Sequence, residues 1–150
     1  KIWDWMFAGV NRANYILEFK DKTDFEGKNQ IIAEARFLRA YYHFELVKWF
    51  GPIPLKGDAR FVLGDETSIP RSSVEDVYAS IESDLLLAID NLAVTPPQVG
   101  RASKGAAQAL LGKIYLYQNK YQQAANVLDN VINDGNYDNT SVVISSSRRF

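Results

Sequence analysis

No cysteine occurs among the 150 residues, which removes disulfides, thiolate zinc sites and cysteine nucleophiles together while leaving the redox compartment open. Histidine is almost as scarce, since His43 is the only one. Long hydrophobic runs are missing too: no stretch approaches the roughly 20 apolar residues of a membrane span. Lys1 leads directly into Ile2, Trp3, Asp4 and Trp5 without a signal-peptide pattern, so any targeting segment is expected to have been removed or never to have been part of this sequence. Charge of one sign is lacking as well. The net charge is −1 with both signs interspersed and no run of Lys or Arg, which gives no electrostatic footprint for nucleic acid or an anionic membrane. Glycine-rich phosphate loops, a serine elbow, HExxH and an EF-hand calcium loop are all absent. No catalytic residue, metal ligand or cofactor is therefore assigned, and a hydrolase reading has nothing to stand on.

What is present is a globular composition, 47% hydrophobic and 23% charged, suited to one domain with a substantial core. Five segments carry helical periodicity, at about 3–20, 28–50, 73–93, 103–119 and 121–134, and the fold is expected to be all-α. In the first, Trp3, Met6, Val10, Ala13 and Leu17 fall at steps of three and four on a single stripe. The second shows two apolar faces. Ile31, Ala35, Leu38, Tyr42 and Trp49 make one, and Ala33, Phe37, Ala40, Phe44 and Val47 the other. Arg36, Arg39 and His43 run between them on one side, with Glu34, Glu45 and Lys48 on the other. A helix apolar on two sides is packed between neighbours, as in a stacked array.

Gly51-Pro52-Ile53-Pro54-Leu55 stops that helix, because proline lacks the amide donor and restricts the residue before it. The connection onward to Ser72, about twenty residues, is expected to be a long insertion loop. Ser72-Ser73 ahead of Val74-Glu75-Asp76 caps the third helix over an acidic first turn. Ser103 is the expected cap of the fourth, and Gly135 closes the fifth.

The last two helices are joined so tightly that they must form an antiparallel hairpin, and they match the tetratricopeptide pattern. Leu111-Gly112 is followed by Tyr115, then by Tyr121, Ala124 and Leu128 at the required offsets. Small Gly112 and Ala124 let two helices approach, while Leu111, Tyr115 and Leu128 fill the seam. Leu38 and Tyr42 repeat the Leu111–Tyr115 spacing with Arg39 in the place of Gly112, so the second helix opens an earlier unit whose partner is the third. Stacked hairpins present extended surfaces, which favours binding over catalysis.

Arg36 and Arg39 flank apolar faces, and bidentate pairing with a carboxylate of the third helix such as Asp84 is the expected role. His43 has those arginines at its helical neighbours, which disfavours a cation and makes a hydrogen-bonded helix residue the default. Glu34 and Glu45 stand three turns apart, too far for a shared catalytic task, and are expected to pair with cations of neighbouring helices.

Several blocks resemble the SusD-like (RagB/SusD) family of glycan-binding outer-membrane lipoproteins. They are Asn11-Arg12-Ala13-Asn14; Ala33-Glu34-Ala35-Arg36-Phe37-Leu38-Arg39-Ala40-Tyr41-Tyr42; and Trp49-Phe50-Gly51-Pro52-Ile53-Pro54-Leu55. Arg71-Ser72-Ser73 with Val77-Tyr78 and Ile81, Asp84-Leu85 with Ala88, Gly100-Arg101-Ala102-Ser103-Lys104 with Ala107, and Gly135-Asn136-Tyr137 continue the series. The resemblance covers about 3–137 and implies a surface lipoprotein of a Gram-negative bacterium. It would hold oligosaccharide over a SusC-like TonB-dependent transporter, with the repeat helices as scaffold and transporter-facing surface. It also implies a far longer protein, with the lipid-bearing cysteine and much of the sugar site outside these residues. Residues 138–150 do not follow the family and are expected to be an irregular tail at the fragment's end.

Sugar binding needs flat aromatic faces for the apolar side of a pyranose and amides or carboxylates for its hydroxyls. Trp5 falls opposite the core stripe of the first helix, and Trp3, Trp5 and Asn11 are the glycan-binding candidates. A tetratricopeptide adaptor for a protein partner is the alternative reading.

Overall fold

In the computed structural model, residues 1–134 are described, and they form helices α1 (Ile2–Glu18), α2 (Lys28–Phe50), α3 (Asp65–Ser68), α4 (Val74–Asn91), α5 (Lys104–Tyr117) and α6 (Tyr121–Asn133). The expected Gly135 stop, the Gly135-Asn136-Tyr137 block and the tail at 138–150 lie outside the described residues. The long helices pack in series: α1 on α2, α2 on α4, α4 on α5 and α5 on α6, with a slight contact between α2 and α5. Each burying its stripe against the next is the stacked-hairpin arrangement expected of an all-α repeat fold.

Local chemistry sets the boundaries. Ser73 Oγ accepts the Asp76 amide at 3.0 Å and Ser103 Oγ accepts the Ala106 amide at 3.2 Å, so two helices start on side-chain caps. Gly51 ends α2 at φ 65°, a left-handed conformation that glycine adopts without a steric penalty, and its amide donates back to the Val47 carbonyl. Between α5 and α6, Asn119 at φ 58° reverses the chain, and the Lys120 amide closes on the Tyr115 carbonyl at 2.9 Å.

The core runs along the stack through Val10 and Leu17 of α1, Phe44 and Leu46 of α2, Ile81 and Leu85 of α4, and Leu111 and Ile114 of α5, all fully buried. Phe44 is the junction, with its ring edge-on to Tyr117 at 5.0 Å and tilted to Tyr78 at 6.4 Å. α2 is covered differently from the two-faced expectation. Ala33, Ala40, Phe44 and Val47 are buried, but Leu38 and Trp49 of the other face are exposed, and the polar strip carrying Arg39 and His43 is buried instead. The connection after α2 folds back over that strip, which the apolar pattern of α2 alone does not announce.

The hairpin seams differ in kind. A Cβ on Gly112 would lie 2.7 Å from the Leu128 side chain, so α5 and α6 touch through a missing side chain. Ala124 and Leu111 are buried and Tyr115 half-buried along the same seam. In the first unit the equivalent position is Arg39, which reaches Asp84 of α4. Gly112→Val should lower stability by about 1–3 kcal/mol through overpacking. In chemical denaturation, combining it with Leu128→Ala should cost less than the sum of the two single changes, because the second removes the atoms the first collides with.

Candidate functional site: an aromatic cleft held by a buried arginine

The segment between α2 and α4 is a closed excursion rather than a slack insertion. Its ends meet where the Ser72 amide donates to the Ile53 carbonyl at 2.9 Å, and Ile53 is fully buried. Within it, α3 supplies a single helical turn.

Arg39 holds the first half in place with all five of its N–H donors. Nε and Nη2 bind the two Asp84 oxygens at 2.7 Å each, a bidentate pair within a buried site. Nη1 donates to Asn14 Oδ1 at 2.8 Å and to the Gly57 carbonyl at 2.6 Å, and Nη2 also donates to Asp58 at 3.0 Å. Arg36 adds bonds to Asp84 at 2.8 Å and to Asp58 at 3.4 Å, and Lys20 reaches Asp58 at 3.2 Å. Burial alone would raise the Asp58 pKa, but Arg39 and Arg36 outweigh it and hold this carboxyl below its ordinary value. Burial likewise opposes the Arg39 charge, yet Asp84 and Asp58 hold its pKa above the ordinary value.

α1 continues the anchoring. Asn14 Nδ2 donates to the Ala59 carbonyl at 2.8 Å; one turn earlier, Asn11 accepts the Phe61 amide at 2.8 Å and donates to the Phe61 carbonyl at 3.3 Å. Phe61 is thereby set edge-on to Phe7 at 5.5 Å. Beyond it, Asp65 accepts the Val62 amide at 2.7 Å and pairs with Lys56, whose hydrogen bond lowers the Asp65 pKa.

The result is a cleft of about 390 Å³ between α1 and the connection, walled by Trp3 and Phe7 on one side and by Pro54, Phe61, Val62 and Ile69 on the other, with Asp65 and Arg71 at its rim. This volume lies within the range of about 300–1,000 Å³ common for small-ligand sites. Trp3 is braced by Phe7 at 4.6 Å and Phe50 at 5.0 Å. Of the three sugar candidates, Trp3 lines the cleft, Asn11 supports it from behind through Phe61, and Trp5, 70% exposed, takes no part in it. Sequence gives Phe61 and Asp58 no role and Arg71 a place only in the Arg71-Ser72-Ser73 block, since a connection without periodicity offers no sign of which residues turn inward. Asn14 had a usable sign: it is a polar residue one turn from Val10, beside a core stripe.

Two other expectations need correction. His43 is buried, and neither ring nitrogen has a hydrogen-bond partner, in contrast to the hydrogen-bonded residue expected. Burial first, then the Arg39 charge, lowers its pKa to about 3. Glu45 pairs with Lys48 of its own helix at 2.6 Å, one turn away, whereas Glu34 does meet a neighbouring segment through Arg101 at 2.9 Å. Among the described residues, no helix is long and apolar enough to cross a membrane.

Residues 1–116 match the SusD-like family described as starch-binding and associating with the outer membrane. The chain belongs to the SusD-like family. A SusD-like protein of Bacteroides ovatus is 33% identical over 120 residues, which are 76% of this chain and 21% of that protein. The crystal structure of a SusD-like protein from Bacteroides fragilis superposes with a TM-score of 0.83 at 33% identity, over 91% of this SusD-like chain and 27% of the other. A structure described as a laminarin-binding SusD-like protein gives 0.80 at 39% identity, over 88% and 29%. The chain spans 21–28% of the length of the curated relatives it matches.

Breaking the buried pair has a large expected cost. Asp84→Ala should destabilise the fold by about 3–5 kcal/mol, because Arg39 would be left charged and short of an acceptor, as denaturant titration would measure. His43 sets a pH dependence. The unfolded chain takes up a proton as pH falls below 6.5, while the folded chain does not until about 3, so stability should decline with falling pH across that window. His43→Leu should flatten the melting-temperature profile there and, by removing unpaired buried nitrogens, raise stability by about 1 kcal/mol or more.

Proposed function

We propose that this chain is the helical scaffold portion of a non-catalytic glycan-binding component of a SusC/SusD-type uptake system. In this reading the protein is a cell-surface lipoprotein of a Gram-negative outer membrane that holds oligosaccharide for import by a TonB-dependent transporter. The observation that carries it is the match of residues 1–116 to a family described as starch-binding. The cleft adds chemistry suited to a sugar: Trp3, Phe7 and Phe61 line it with aromatic surface, and Asp65 and Arg71 bring polar groups for hydroxyls.

A tetratricopeptide adaptor is the second reading, favoured by the exposed apolar side chains of the last hairpin. Leu116, Tyr117, Tyr121 and Ile132 are between 47% and 71% exposed, a surface suited to a protein neighbour. It predicts capture of a protein partner that no sugar competes away.

The glycan reading predicts retardation of the full chain in affinity gels containing its polysaccharide. Trp3→Ala should weaken binding about tenfold, near 1.4 kcal/mol. Trp3→Phe, which preserves the packing against Phe7 and Phe50, should retain most of the affinity. Absence of retardation across a broad panel, with the melting curve intact, would sink the reading.

A further inference from the structure

Three cations of the α2–α4 connection lie over aromatic rings: Lys56 over Phe61 at 5.9 Å, Arg60 over Tyr15 at 4.9 Å and Phe19 at 5.1 Å, and Arg71 over Trp3 at 5.4 Å. Two of the three are neutralised, Lys56 by Asp65 and Arg60 by Glu18. Arg71 is different. Among the described residues no carboxylate reaches it, and its hydrogen bond runs from Nη1 to the Pro52 carbonyl at 3.2 Å. Its side chain is exposed at the rim of the cleft whose wall is the ring beneath it. Among the described side chains that line the cleft, the other charged group, Asp65, has its charge offset by Lys56, which leaves Arg71 as the one lining cation without a carboxylate partner.

We infer that this cleft takes a sugar ring bearing an oxyanion, the carboxylate of a uronic acid or a sulfate ester, and that Arg71 is the group that selects it. The inference rests on the glycan-binding reading and narrows its ligand class. A guanidinium lying over an aromatic ring uses its face for that contact and keeps donors along its edge for an acceptor, and a planar carboxylate or a sulfate fits that edge with two parallel bonds. Around the Trp3 ring that Arg71 covers, Phe7, Phe61 and Ile69 line the cleft with apolar surface for the ring carrying the anion. A neutral hexose would gain the apolar contact but leave the charge at the rim unanswered.

The test uses the full chain and oligosaccharides in matched pairs: uronate-containing ones beside their carboxyl-reduced counterparts, and sulfated ones beside their desulfated counterparts. Isothermal titration should give tighter binding to the charged member of at least one pair, weakening as salt is raised. The pair that responds identifies carboxylate or sulfate as the anion. Arg71→Gln should reduce the charged-to-neutral preference about tenfold, and Arg71→Lys, which keeps the charge but not the fork, should reduce it less. Equal binding of both members by the unmodified protein, or a preference that survives Arg71→Gln, would overturn the inference and leave the glycan reading standing. Binding to no carbohydrate of any charge would overturn both.

Discussion

A guanidinium buried in a helical stack is tolerable only if every donor is met, and Arg39 meets this condition by drawing acceptors from three separate parts of the chain. Asp84 comes from α4, Asn14 from α1, and Gly57 and Asp58 from the connection, while Arg39 itself belongs to α2. Apolar burial would hold these helices together with some freedom to slide. The fork geometry of Arg39 removes that freedom, because a shift of one turn in any partner would strand a charged donor. The position of Gly57 and Asp58 against the helices, from which the cleft is built outward, depends on this side chain.

The cleft is thus built in two stages that use different physics. Charge fixes residues 57–59 against the helices; two asparagine amides on consecutive turns of α1 then extend that fixed backbone to Phe61 as a strand pairing would. Only beyond Phe61 do apolar contacts take over, with the rings of Trp3, Phe7 and Phe61 forming the walls. Rigid backbone behind an aromatic surface suits a weakly interacting ligand, since little ordering remains to be done when it arrives.

Sequence made the helices legible because their stripes repeat every three to four residues and their serine caps are local. The Gly112–Leu128 seam was equally readable, being set by residue size at fixed spacing. The coverage of α2 was not. Its apolar pattern is consistent with two packed faces, yet hydrophobic residues are often left outside, and Leu38 and Trp49 are among them. What buries the arginine strip is a connection without periodicity, whose acceptors are the Gly57 carbonyl, which carries no sequence signature, and Asp58, one of several acidic residues in the chain with nothing to mark it out. The four-residue α3 is too short to show a period, and His43 is enclosed without a hydrogen-bond partner where a hydrogen-bonded helix residue was the expectation.

Because Ile53 and Ser72 hold the two ends of the connection together, α2 and α4 are insulated from much of what lies between them. The anchors to α1 and Arg39 end at Phe61, so the stretch from Val62 to Ile69 is attached to the scaffold chiefly through its own ends and the cleft wall. Lengthening such a stretch adds only a small, logarithmic closure entropy. This is the place where the chain could be lengthened or shortened and the outline of the cleft redrawn, with the helices behind it left in register.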